Sequence, residues 1–164
     1  MKLALLLLLI VAGVIAYIRR QGWLEHRFDS QIQTAAQRFN VDPALVKAVG
    51  WQESGFNPDA RGKAGEIALM QLRDLSAQEW ADSQRLTNFV HEHCLDPLTN
   101  TLAGTYYLGK LLRRYTSTDN PVPYALADYN AGRGNVLKWN TNSAATNSEV
   151  FIEQIGFPST KYYV

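Results

Sequence analysis

The sequence predicts an all-α domain, or α with minimal β, preceded by an N-terminal hydrophobic segment. Three observations carry this. Apolar residues recur at spacings of three and four, Asp-Pro and Gly/Asn signals fall where helices should start and stop, and no stretch alternates apolar with polar as a strand does. With 164 residues, 46% hydrophobic and 11% aromatic, the chain can bury one core of ordinary size.

Lys2 opens an apolar run from Leu3 to Ile18, closed by Arg19 and Arg20. The run is shorter than the roughly 20 residues that span a bilayer and longer than the roughly 7 to 15 of a signal core. No small-residue cleavage pattern precedes Tyr17, which favours an uncleaved anchor over a removed signal. Residues 1–20 are thus read as leader, signal peptide or membrane anchor, and 21–164 as the domain. Charges on both flanks do not orient the segment.

Leu24, Phe28, Ile32, Ala35, Ala36 and Phe39 share one face, predicting a helix over Trp23–Phe39 that Asn40 ends. Asp42-Pro43 is a cap and a first-turn proline, starting a helix that runs from Ala44 to Ser54 and stops at Gly55. Phe56 to Ala64 reads as loop. Ile67 to Leu72 is apolar, and Asp74 to Leu86 is a helix with Leu75 and Trp80 inward. Asp96-Pro97 repeats the start signal for a long helix to Tyr115. Thr116 to Pro121 is a polar break. Tyr124–Tyr129 and Asn135–Trp139 are short helices around the turn Asn130 to Gly134. A polar loop, Asn140 to Ser148, precedes a last helical piece around Glu149 to Ile155.

A net charge of +1 lacks the basic footprint of a nucleic-acid binder. The lone Cys94 excludes an internal disulfide and reads as a small buried apolar residue. His91 and His93 beside it lack a second ligand cluster, so neither metal nor cofactor is expected.

The chemically informative stretch is Trp51 to Pro58. Glu53 stands at the C-terminal end of an apolar helix beside Trp51 and Phe56. The negative helix end and apolar surroundings both disfavour a carboxylate, so its proton should be held toward neutral pH, as a general acid requires.

From about Phe39 onward the chain resembles the catalytic domain of the soluble lytic murein transglycosylases, relatives of goose-type lysozyme. Four blocks carry the resemblance in order: ESGFNP at 53–58, GEIALMQL at 65–72, DPLTN at 96–100 and YNAGRGNV at 129–136. Phe151–Ile155 and Thr160–Val164 are similar to the family's closing block. The resemblance implies a lysozyme-like fold and a membrane-tethered or exported enzyme of the periplasm or cell envelope, with peptidoglycan glycan strands as its partner. It implies Glu53 as catalytic acid/base and Gln71 as lining the sugar groove. It also implies Tyr129 with its hydroxyl toward the catalytic carboxyl, and Asn130 in the same turn. Met70 is either a groove residue or core packing.

Ala68 stands where the family often has Gly, Gly62 where it often has Ser, and the chain stops at Val164. Gly62 removes a hydroxyl that could bind substrate. Only one carboxylate carries a motif, whereas ordinary glycosidases use two. The resemblance therefore implies a non-hydrolytic route ending in a 1,6-anhydro-muramic acid. Glu66, if it faced the groove, could bind substrate or activate water for hydrolysis. A binding protein that has kept the groove is a third reading. Tyr124, Trp51 and Trp139 are candidate sugar-stacking aromatics.

Overall fold

The computed structural model describes the backbone of residues 2–164 and the side chains of these except 2–5 and 8. Nine α-helices carry the described chain: α1 Lys2–His26, α2 Asp29–Phe39, α3 Pro43–Ser54, α4 Asp74–Ser83, α5 Pro97–Arg114, α6 Pro121–Ala131, α7 Arg133–Trp139, α8 Ser148–Gln154 and α9 Pro158–Tyr163. Short 3₁₀ turns lie at His91–Leu95 and Asn142–Ala145. Among the described residues there is no strand. Two isolated bridges, Arg61 with Ile67 and Ile67 with Leu72, are the minimal β allowed for.

The start and stop signals act as expected. Asp42 accepts from the Ala44 amide at 2.8 Å and Asp96 from Thr99 at 2.8 Å, each ahead of a first-turn proline. Asn120, read as part of a polar break, does the same for Val122 at 3.1 Å ahead of Pro121, so α6 starts three residues before the expected Tyr124. Asn40 and Gly55 close α2 and α3 in the left-handed conformation, at φ 52° and 58°.

Four readings of the sequence are corrected. The helix expected over Trp23–Phe39 is interrupted before Asp29. Phe28 leaves helical geometry (φ −118°, ψ 13°) and turns its ring into the core, while Arg27 lies over the Trp23 and Phe28 rings. Leu75 is not inward: it is 84% exposed, whereas Trp80 is buried. Five residues apart means about 140° around a helix, so the two cannot share a face. Asn130 and Ala131 extend α6 instead of turning, and the break falls at Gly132 alone (φ 80°, ψ 154°), a conformation open mainly to glycine. Finally, Pro158–Tyr163 is helical, which its unperiodic sequence did not indicate.

Helix α1 runs without a break through the expected leader boundary at residues 20 and 21. Met1, where that leader begins, lies outside the described residues. Leu9, Ile10, Val14 and Ile18 on this helix are exposed. Among the described residues no helix is long and apolar enough to cross a membrane.

Two apolar clusters form the core. The larger joins α2, α3 and α5 to the 67–72 loop through Phe28, Ile32, Val46, Val49, Phe56, Leu69 and Leu108. The smaller gathers Leu111, Tyr115, Tyr124, Val136, Trp139 and Phe151 from α5 to α8. Tyr124, stacked between Tyr115 and Phe151 with centroids 5.5 and 4.1 Å away, is fully buried. Cys94 is fully buried too, its thiol pushed up to about 12 by burial.

Candidate active site

The apolar spacing of α3 faces Val46 and Val49 into the core and leaves Glu53, four residues beyond Val49, half-buried at the helix end. The carboxyl opens into a groove of about 650 Å³ that also reaches Glu66, Gln71, Leu75, Tyr107, Lys110, Arg114, Tyr129, Asn130 and Arg133. Removal from water raises the Glu53 pKa above the usual carboxylate range. The Tyr163 hydroxyl, donating to Oε1 at 2.6 Å, opposes that shift, and the charge of Glu66 adds to it.

Tyr163 escaped the sequence reading. It lies in the closing TKYYV block, whose two adjacent tyrosines gave no sign of which one turns inward. The structure separates them: Tyr162 is 86% exposed, and Tyr163 packs against the larger cluster with its hydroxyl on Glu53. Tyr129 takes a different part from the one expected. Its hydroxyl donates to the Met70 carbonyl at 2.8 Å, so it braces the 67–72 loop. Its ring still lies close enough for the Glu53 charge to add to the burial that holds its proton on.

The 67–72 loop forms the groove floor, and its backbone is tightly specified. Asn100, buried in α5 and part of the DPLTN block, accepts from the Met70 amide at 2.8 Å and donates to the Ile67 carbonyl at 3.2 Å. Met70 itself is 1% exposed, with its side chain over Gly104, where a Cβ would come within 2.4 Å of the sulfur. Packing is therefore its role, and only its backbone serves the site. Gln71, at φ 45°, gives its amide hydrogens to the carbonyls of Ala68 (2.8 Å) and Ala60 (3.3 Å). What it can offer a ligand is the acceptor oxygen.

Ala68 does not reach the groove. Its methyl is fully buried, and the added carbon acts instead on the backbone, which it leaves at φ 60°. Gly62 is also more than a lost hydroxyl. A Cβ there would meet Glu66 Oε2 at 2.2 Å, so the Glu66 carboxylate occupies that space. The Ala64 amide donates to the same oxygen at 3.0 Å, and Arg73 stands 3.9 Å from the other. Glu66 thus lines the groove with Glu53.

Of the expected stacking aromatics, Tyr124 and Trp139 belong to the core. Trp51 is exposed but packs edge-on against Phe56, outside the groove lining. The rings that do line it, Tyr107 and Tyr129, lie 5.5 Å apart. Asn130 is exposed on the lining, with Oδ1 accepting from the Thr160 hydroxyl at 2.8 Å. His91 Nε2 donates to the Leu72 carbonyl at 2.9 Å, which gives the His-Glu-His-Cys segment a structural partner in the floor.

Fold and site together define an all-α, lysozyme-like domain built around one glutamic acid. The family model described as Transglycosylase SLT domain matches residues 30–152, and the chain belongs to that family. It is 31% identical over 147 residues to the soluble lytic murein transglycosylase of Escherichia coli, covering 86% of this chain and 22% of that protein. It is 36% identical over 113 residues to membrane-bound lytic murein transglycosylase F of Desulfosudis oleivorans, covering 67% and 23%. The crystal structure of the 70-kDa soluble lytic transglycosylase of E. coli superposes with a TM-score of 0.71 at 28% identity, over 85% of this chain and 23% of that one. The lytic transglycosylase Slt of Pseudomonas aeruginosa, in an inactive variant, gives 0.72 at 27%, over 82% and 21%. The chain therefore spans less than a quarter of the length of these relatives.

Proposed function

We propose that this chain is a peptidoglycan lytic transglycosylase that cleaves the β-1,4 bond between N-acetylmuramic acid and N-acetylglucosamine without water. The observation that carries the reading is a single glutamic acid, held toward its protonated form in an open groove and hydrogen-bonded by Tyr163. Glu53 gives its proton to the departing 4-oxygen as the glycosidic bond breaks. The substrate's N-acetyl oxygen closes on the anomeric carbon. The 6-hydroxyl of the same sugar then attacks that carbon and displaces the acetamido oxygen, while its proton passes to the Glu53 carboxylate. The acid is restored and a 1,6-anhydro end remains. One carboxylate suffices because it acts first as acid and then as base. Gln71 and Asn130 present polar groups to the sugars, and Tyr107 and Tyr129 present ring faces to their CH surfaces.

Digestion of purified peptidoglycan, followed by mass analysis of the released muropeptides, tests this. Anhydro-muropeptides are expected from the wild type, and Glu53→Gln should fold normally and release none. Products bearing only reducing ends would overturn the transglycosylase assignment. They would favour the second reading, hydrolysis, for which the presence of Glu66 on the groove wall is the supporting observation.

The substrate lies outside the cytoplasmic membrane, so residues 1–20 are inferred to deliver the domain to the envelope. The apolar run Leu3–Ile18 fits either a retained anchor or a removed signal, and the lack of a small-residue cleavage pattern before Tyr17 is what favours the anchor. Fractionation and intact-mass measurement of the expressed protein distinguish them, since a removed signal would shorten the chain and free it from the membrane fraction.

A further inference from the structure

Beyond the acid and the groove floor, the lining carries a group of cations that cleavage of the glycan does not use. Asp128, one residue before Tyr129, is 1% exposed and accepts from Arg114 Nη1 at 2.6 Å and from the Tyr115 hydroxyl at 2.7 Å. The Tyr115 oxygen in turn accepts from Arg133 Nη1 at 3.3 Å. A buried carboxylate thereby fixes the guanidinium of Arg114 directly and that of Arg133 through a tyrosine, and both arginines line the groove. Lys110, on the same wall, is paired with Glu79 at 2.5 Å.

Arg114 and Lys110 each have an acidic partner. Arg133 has none among the described residues, is exposed, and spends one of its five N–H donors on Tyr115. An oriented guanidinium with free donors and no counter-charge is suited to a planar carboxylate, which it can grip with two parallel hydrogen bonds. The sugar rings of the strand are neutral. The carboxylates of peptidoglycan lie on the peptides attached to its muramic acid residues.

We propose that Arg133, held by the Asp128–Tyr115 relay and flanked by Arg114, forms a carboxylate subsite that recognises the peptide substituents of the glycan strand. The proposal rests on the transglycosylase reading and adds a specificity determinant to it. An alternative role for the cluster is purely internal, tying α5 to α6 through Arg114 and Asp128. That role leaves most of Arg133 unused, since it forms no ion pair among the described residues and its recorded side-chain bond is the one to Tyr115.

The test uses the full chain and two preparations of glycan strands with identical peptides, one with free peptide carboxylates and one with those carboxylates amidated. The wild type should show a kcat/KM about tenfold higher on the free-acid strands, the value of roughly one charge-assisted contact. Arg133→Gln should bring the ratio of the two close to one, chiefly by raising KM for the acid form. Arg133→Lys should recover part of it, and Arg133→Glu should invert it. A wild-type ratio within twofold of one, or a ratio unmoved by Arg133→Gln, would overturn the proposal while leaving the cleavage chemistry intact. Failure of the wild type to cut either strand would sink the transglycosylase reading itself, and the subsite with it.

Discussion

Burial and the Glu66 charge hold the proton on Glu53, and the Tyr163 hydroxyl draws it off by stabilising the carboxylate. An acid with a raised pKa works below that pKa and fails as pH rises through it. Removing each neighbour should therefore move the basic limb of the pH–rate profile in opposite directions. Glu66→Gln removes a like charge, so the limb should move to lower pH. Tyr163→Phe removes the bond that favours the charged form, so the limb should move to higher pH, with a lower plateau because the carboxyl is no longer positioned. Rates from pH 4 to 9 on one glycan preparation check both signs. A shift of the two limbs in the same direction would show that these residues act on something other than Glu53. The helix-end, apolar setting of Glu53 was legible in the sequence because it is a local pattern, whereas its proposed role as the acid came from the family resemblance. Tyr163 was not legible, because its contact spans 110 positions and nothing in Tyr162-Tyr163 marks which ring faces inward. Arg133 was hidden for a similar reason: its place depends on Asp128 in α6 and on Tyr115 just past the end of α5.

Helix starts were read most reliably, because a cap and a proline act within one turn. The unread parts depend on tertiary contact: the break at Phe28, the short α9 and the conformation of the 67–72 loop. That loop is held by Asn100 from α5, whose side chain satisfies one buried amide and one carbonyl. Asn100→Ala would leave the Met70 amide unpaired, while the Ile67 carbonyl would keep the Leu72 amide at 3.1 Å, and should cost about 1 to 3 kcal/mol, seen as a lower urea midpoint with unchanged slope. Ala68 offers the opposite case. An L-residue in the left-handed region costs about 1 to 2 kcal/mol, part of which glycine gives back through its freer unfolded chain. Ala68→Gly should stabilise by about 0.5 kcal/mol. A loss of stability there would mean that the buried methyl matters more than its backbone angle.

At the scale of the whole chain, the groove lies where two apolar clusters meet. Glu53 and Met70 sit on elements of the larger, while Arg114, Tyr115, Asp128 and Arg133 border the smaller. The chain's composition could set the size of the core but not its division in two, because Tyr124 and Trp139, which fill the second cluster, have the same aromatic character as groove residues. The exposed apolar residues of α1 stand apart from both clusters. Removing residues 1–20 should thus leave the thermal midpoint of the remaining domain within a degree or two, read by circular dichroism. A large drop would show that α1 belongs to the fold.

The Tyr163 contact also sets an order of events. It joins residue 53 to a six-residue helix with one buried residue, Thr160, and short helices with so little burial open at a lower free energy than the core of a fold. As denaturant is added, α9 should fray first and release the donor, so glycan cleavage should fade at a urea concentration below that at which the helical signal falls. The same sequence in reverse governs synthesis. Glu53 gains its tyrosine partner only once α9, made 110 residues later, has docked.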